Sequence, residues 1–166
     1  MSAFESKRLV VSHTHSVGAT AADVFPLLCP VREYDWLEPW SCEMVFSASG
    51  IAESDAVFTT DFPDRGRGIW TCSRYEPPNR IDYVVSWSTQ VVDHLTVVLT
   101  TSSTGHTTLC WNRTFTGLDD QGNRYIDDQL TPIAEVQLSV AGRVLAHYVE
   151  TGEMLPISAA IAGAHG

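Results

Sequence analysis

RIDYVVSWSTQVVDHLTVVLTTSSTGHTTLCWNRTF, residues 80–115, is the stretch that decides the fold. It reads as three strands: Arg80–Thr89, Val91–Thr101 and His106–Phe115. Ile81, Tyr83, Val85 and Trp87 share one face of the first, and Leu109, Trp111, Arg113 and Phe115 share one face of the third. Such alternation marks strands with one side on a core. Ser103-Thr104-Gly105 is a short connection, which closes the second strand onto the third as a hairpin. Strands joined so tightly pair antiparallel.

Outward toward the N-terminus the pattern continues. Pro77-Pro78-Asn79 turns the chain from a strand over Ile69–Glu76. Pro63-Asp64-Arg65-Gly66 reads as a loop, and Gly66-Arg67-Gly68 falls in it. Ala56–Phe62 and Glu43–Ser49 are two more strands. Leu9–Val17 is the first, with Leu9, Val11, His13, His15 and Val17 on one face. Thr20 is a good N-cap for a short helix over Ala21–Leu28, which Pro26 shortens or distorts. Pro30–Trp40 reads as a second short helix or an aromatic loop.

Toward the C-terminus, Asp119-Asp120-Gln121-Gly122 breaks the β pattern. Leu130, Ile133, Ala134, Val140, Ala141, Val144, Leu145 and Tyr148 then recur at helical intervals up to Thr151. Pro132 either starts that helix or kinks it, and Gly152 is a natural stop. The order is one strand, two short helices, six strands and one long helix. This predicts an α+β fold with a curved seven-stranded antiparallel sheet wrapped around the C-terminal helix. The chain is expected to form one domain over residues 1–166, with its core at about 7–155 and a frayed tail at 156–166.

Lys and Arg number 10 against 20 Asp and Glu, giving a net charge of −10. A chain this acidic repels phosphate backbones and anionic surfaces, so neither nucleic acid nor membrane is an expected partner. No apolar run reaches the roughly 20 residues of a membrane span. Residues 1–9 lack the layout of a secretory signal, which makes the cytoplasm the expected compartment and Cys29, Cys42, Cys72 and Cys110 reduced thiols. Phosphate-cradling glycine loops, nucleophile elbows and close metal-ligand spacings are all missing, so no cofactor and no metal are expected.

The order of elements resembles the helix-grip fold of the START-like (SRPBCC, Bet v 1-like) superfamily. Local wording resembles it too: Val17–Phe25 at the strand-to-helix entry, Trp36-Leu-Glu-Pro-Trp40 after the first helix, and Tyr75–Ile81 at a middle turn. Gly105–Trp111 resembles the strand before the last helix, and His147–Gly152 the end of that helix in the polyketide cyclase/dehydratase-like branch. The resemblance covers about Lys7–Leu155 and implies a cavity between sheet and long helix that takes a small, mainly apolar or aromatic molecule. None of these motifs is catalytic, so the resemblance implies a fold and a pocket rather than a reaction.

Candidate residues follow from the inward faces. His13 and His15 are candidates for moving a proton or contacting a ligand. Arg113 is a candidate anchor for a carboxylate or enolate, the alternatives being an ion pair to Asp93 or Asp82 or a side chain that snorkels to the rim. Trp36, Trp40, Tyr83, Trp87 and Trp111 are candidate cavity walls, with Trp70 counted among the large aromatics. A metal site would have to combine His94, His106 and Asp93 with the strand-one histidines. Asp127, Asp128 and Glu135 are read as complements to the last helix's dipole. Two functions fit: a ligand-binding protein, as a carrier or a polyketide cyclase-like enzyme, or a non-catalytic module that docks on a partner or forms a homodimer. Exposed aromatic surface around Trp36 and Trp40 would favour the second.

Overall fold

A computed structural model describes residues 3–163. Seven strands form one antiparallel sheet in the order β1-β7-β6-β5-β4-β3-β2. They are β1 (Arg8–Val17), β2 (Glu43–Phe46), β3 (Val57–Phe62), β4 (Gly66–Glu76), β5 (Arg80–Trp87), β6 (Val91–Thr101) and β7 (Thr107–Gly117). The first and seventh strands pair along their length, with His13 opposite Trp111 and Val11 opposite Arg113. This is the helix-grip architecture expected from the sequence.

The strand before Glu76 begins three residues earlier than expected. Gly66-Arg67-Gly68, read above as loop, belongs to β4 and pairs with Phe62, Asp61 and Thr60. Gly66 has φ +73, and a Cβ there would stand 2.3 Å from Ser88 Oγ. Only glycine meets both conditions, so the β3–β4 turn is pinned and its neighbour Arg65 is placed. A register shift between Cys72 and Arg74 bends β4.

Two prolines divide the stretch after β1. Thr20 caps α1 (Ala21–Val24), which continues as a 3₁₀ turn over Phe25–Leu28 with Pro26 in its first positions. Cys29 precedes Pro30 and is extended, at φ −78 and ψ 135, as residues before proline prefer. The chain then restarts as α2 (Pro30–Glu33).

The C-terminal helix is also built in pieces. Asp119 caps α3 (Asp120–Tyr125), and a wider π-helical turn over Ile126–Leu130 follows. That turn buries Ile126 and Leu130 against Val91 and Phe115. Pro132 ends it, and α4 (Ala134–Thr151) runs to Gly152, whose φ of +74 stops the helix. Asp127 lies in the π turn, ion-paired to Lys7, while Glu135 lies in the first turn of α4.

Where a frayed tail is expected, Ile157–Ala162 forms α5. Ala160 is fully buried and its carbonyl accepts a bond from Arg143 Nη1 at 2.9 Å. Residues 164–166 of the expected tail lie outside the described residues.

The core fills the space between the sheet's concave face and α4. Val144 and Leu145 of the helix are fully buried with Leu109, Val97 and Val85 of the sheet. Helix α4 packs chiefly on β1. Gly142 allows this close approach, because a Cβ there would lie 2.7 Å from His15 Nδ1 and 2.8 Å from His13 Cδ2. Leaning toward β1, the helix leaves the concave face of β4–β7 for other side chains to cover.

Candidate functional site

That uncovered part of the sheet carries a pocket of about 240 Å³. Its floor is Trp70, Trp87, Leu95, Trp111 and Arg113 from the sheet. Gln137, Leu138 and Ala141 of α4 form one wall, and the segment from Glu33 to Trp40 forms another. Asp64 and Arg65, from the β3–β4 turn, stand at its edge. All five tryptophans of the chain line this one pocket. Each tryptophan is less than a tenth exposed, including Trp36 and Trp40, so the aromatic surface faces inward.

The rings hold one another in place. Trp70 meets Trp40 and Trp87 edge-on, at centroid distances of 6.1 and 5.8 Å. Such geometry suits the ring quadrupoles. Four indole N–H groups have partners. Trp36 donates to Leu27 O at 2.8 Å, Trp40 to Pro30 O at 2.8 Å, Trp70 to Thr60 Oγ1 at 2.9 Å and Trp87 to Asp93 Oδ2 at 3.4 Å. The fifth, Trp111 Nε1, is buried and has no partner among the described residues.

Of the wall residues expected from the sequence, Trp36, Trp40, Trp87, Trp111 and Arg113 line the pocket. Tyr83 does not. It is buried behind the wall, where its hydroxyl donates to Leu28 O at 3.0 Å and its ring stands edge-on to Trp70. Burial holds that phenol well above its ordinary range.

Arg113 is tied to Asp93, which is completely buried. Nη2 donates to Oδ2 and Nε to Oδ1, the latter at 3.3 Å, and the guanidinium also lies over Phe115 at 5.1 Å. This is one of the two ion pairs the sequence offers. Asp82, the other, lies on the convex face, where it accepts from Arg80 at 2.9 and 3.0 Å and meets His94 Nε2 at 3.2 Å. Burial would raise the Asp82 carboxyl, but these bonds outweigh it and hold its pKa below the usual range.

His13 and His15 do point to the concave side, but not to the pocket. They lie under Gly142 of α4. Their rings stack at 5.4 Å, and His15 stacks on Trp111 at 6.2 Å. Neither ring nitrogen of His15 has a partner among the described residues. Burial lowers the pKa of His15 to about 4, with His13 adding repulsion. His13 is lowered as well, by burial and then by Arg143.

His94, His106 and Asp93 do not converge. His94 is on the convex face with Asp82, His106 sits by the β6–β7 turn near Thr104, and Asp93 belongs to Arg113. Among the described residues no three His, Cys, Asp or Glu are placed to hold a metal. The four cysteines are free thiols, with Cys29 and Cys72 buried and Cys110 exposed.

Of the pocket residues not singled out from the sequence, two bear directly on its chemistry. Glu33, at the end of α2, puts a carboxyl on the wall with no hydrogen-bond partner among the described residues. It keeps part of its surface because it faces the pocket. Even so, the surrounding protein raises its pKa well above the ordinary range, only partly opposed by Arg113. Arg65 is the second. Its side chain is only 11% exposed, lies over Trp87 at 5.8 Å and donates to Gln137 Oε1. The charged-residue spacing in a turn and in a short helix gives no sign of either role.

A second, larger depression of about 470 Å³ lies between α1–α2 and the β4–β5 turn, lined by Phe25, Tyr75, Pro77, Pro78 and Ile81 among others. Its only charged residue is Arg32, which is occupied by Asp35 at 2.8 Å. The tryptophan pocket holds the polar chemistry.

No family model matches the chain, and no curated protein matches it in sequence. Solved structures do match in shape. DynU16, a protein of the dynemicin biosynthetic locus, is 18% identical with a TM-score of 0.59 over 87% of this chain and 48% of its own. The chain therefore spans about half the length of that protein. CalU16 from Micromonospora echinospora is 12% identical with a TM-score of 0.58, over 95% of this chain and 92% of its own. Norcoclaurine synthase from Thalictrum flavum, solved with dopamine and hydroxybenzaldehyde, is 10% identical with a TM-score of 0.63 over 87% of each chain. All three have the Bet v 1-like fold. No helix among the described residues is long and apolar enough to cross a membrane.

Proposed function

Starting from a chain with the helix-grip fold of the START-like proteins, we propose that it binds a small, planar aromatic molecule in the tryptophan pocket. One observation carries this reading: every tryptophan in the chain lines the same pocket, and none is turned to the surface. Aromatic side chains that merely filled a core would leave no space between them. An engineered apolar cavity of about 150 Å³ accepts benzene, so about 240 Å³ suits a molecule of one or two rings. Polar groups at the edge of such a pocket fix orientation. Here they are Glu33, Arg65, Arg113 and Gln137.

A cyclase-like reaction is the catalytic form of the same reading. The pocket would fold a reactive chain against the indoles and exclude water. The histidines lie outside the wall, so the proton-moving group would be Glu33, whose pKa burial raises well above the ordinary carboxyl range. The partner-docking alternative draws no support from Trp36 and Trp40, because both are buried.

The test is native mass spectrometry of the purified protein, followed by denaturing extraction and a fluorescence titration with naphthalene-2-carboxamide. A co-purified aromatic molecule, or saturable quenching of the indole emission, is expected. Empty protein whose emission stays unchanged through the millimolar range would overturn the reading.

A further inference from the structure

Resting on that pocket, we propose that its ligand is an aromatic carboxylate, with Arg65 as the residue that receives the carboxylate. The argument is an inventory of unspent hydrogen-bonding capacity. A guanidinium has five N–H donors in a fixed fork. Arg65 uses one of them, on Nη2, for a neutral amide, Gln137 Oε1. The nearest carboxylate, Asp64, stands 3.6 Å from Nε, too far for a hydrogen bond, and is itself half exposed at 53%. The acidic group that might have served instead, Asp93, is engaged by both Nε and Nη2 of Arg113 and by the Trp87 indole. Glu33, on the opposite wall, bonds to nothing described.

The pocket lining thus carries two guanidinium groups, Arg113 closed onto the buried Asp93 and Arg65 only loosely paired with Asp64, beside the carboxyls of Glu33, Glu38 and Asp64. Buried cations need a partner, and buried N–H groups need an acceptor. A ligand carboxylate supplies Arg65 with a closer partner than Asp64: two acceptor oxygens and one negative charge. A guanidinium and a carboxylate can join through two parallel bonds. The indole faces then take the ring. Burial, followed by repulsion from Arg113, lowers the pKa of Arg65 to about 10, so it remains a cation at neutral pH.

The experiment is isothermal titration calorimetry at pH 7 with 2-naphthoate and with its neutral counterpart naphthalene-2-carboxamide. The wild type is expected to bind naphthoate at least tenfold more tightly, as charge-assisted bonds require. Arg65→Met keeps the bulk and removes the charge, and should erase that preference, the ratio of the two affinities falling to about one. Arg65→Lys should keep part of the preference. Equal wild-type affinity for the two probes would overturn the carboxylate assignment and leave the aromatic pocket standing. Failure of both probes would overturn the pocket reading itself, and this proposal with it. A preference that survives in Arg65→Met would overturn the role of Arg65. The wild-type comparison needs no variant, so misfolding of Arg65→Met cannot shelter the proposal.

Discussion

Gly142 of α4 lies so close to His15 of β1 that a single added methyl would stand 2.7 Å from the imidazole Nδ1. The contact sets the tilt of the helix over the sheet, and so the width of the pocket on its other side. Gly142→Ala would gain about 1 kcal/mol of helix propensity. Overpacking a buried contact costs about 1–3 kcal/mol, and His15 has little room to yield between His13 and Trp111. We expect a net loss of about 1 kcal/mol, read as a fall of several degrees in melting temperature. Adding His15→Ala should return the helix gain. A Gly142→Ala protein more stable than wild type would show that the contact does not constrain the helix.

Much of this was legible in the sequence, and the reasons are specific. Alternation in Ile81–Trp87 and Leu109–Phe115 gave the inward faces, because a strand's period of two admits no intermediate placement. The same rule put His13 and His15 on the concave side. It left open what covers them, because Gly142 lies far along the chain from His15, beyond the reach of any local pattern. Arg65 escaped notice because turn residues carry no periodicity. Its direction comes from the positive φ of Gly66 and from the packing of Ser88, both tertiary facts. The small residues of Ile157–Ala162 suggested fraying, whereas a hydrogen bond from Arg143 on α4 holds them in a helix.

Histidine protonation should weaken the fold in mild acid. The folded state holds His15 near pKa 4, while the unfolded chain titrates near 6.5. The unfolded state therefore binds more protons between these values. The contribution is complete above pH 6.5 and is lost as pH falls toward 4. Allowing for the part of the ring that solvent reaches, it amounts to about 2 kcal/mol. His13 shifts in the same direction. Urea unfolding of wild type and His15→Leu at pH 7 and pH 4.5 checks this. The variant should lose less stability on acidification, and parallel losses would contradict the burial of His15.

The Arg113–Asp93 pair should behave as a buried unit. Arg113→Met leaves Asp93, with no exposed surface, only the Trp87 indole at 3.4 Å. Removing one partner of such a pair costs about 3–5 kcal/mol. Replacing both by apolar residues, as in Asp93→Leu with Arg113→Met, should cost less than the single change. Denaturant midpoints of the two singles and the double give the coupling directly. Additive losses would mean that the two side chains are not the closed pair described.

Glu33 should make the protein weaker in alkali, the opposite sign to His15. Its carboxyl is held above the ordinary range by burial, so the folded state keeps a proton that the unfolded chain has released. Stability then falls as pH rises from about 4.5, the ordinary value. Glu33→Gln keeps the shape and cannot ionise. It should raise the melting temperature by a few degrees at pH 8 and leave it near the wild-type value at pH 4. The same variant separates fold from function, because a neutral amide still lines the pocket but gives up no proton. If the pocket only binds, Glu33→Gln retains affinity for an aromatic ligand. If Glu33 moves a proton in a reaction, turnover is lost while affinity stays. A melting temperature lower than wild type at pH 8 would show that the Glu33 carboxyl is ionised and partnered in the folded protein, against the placement described here.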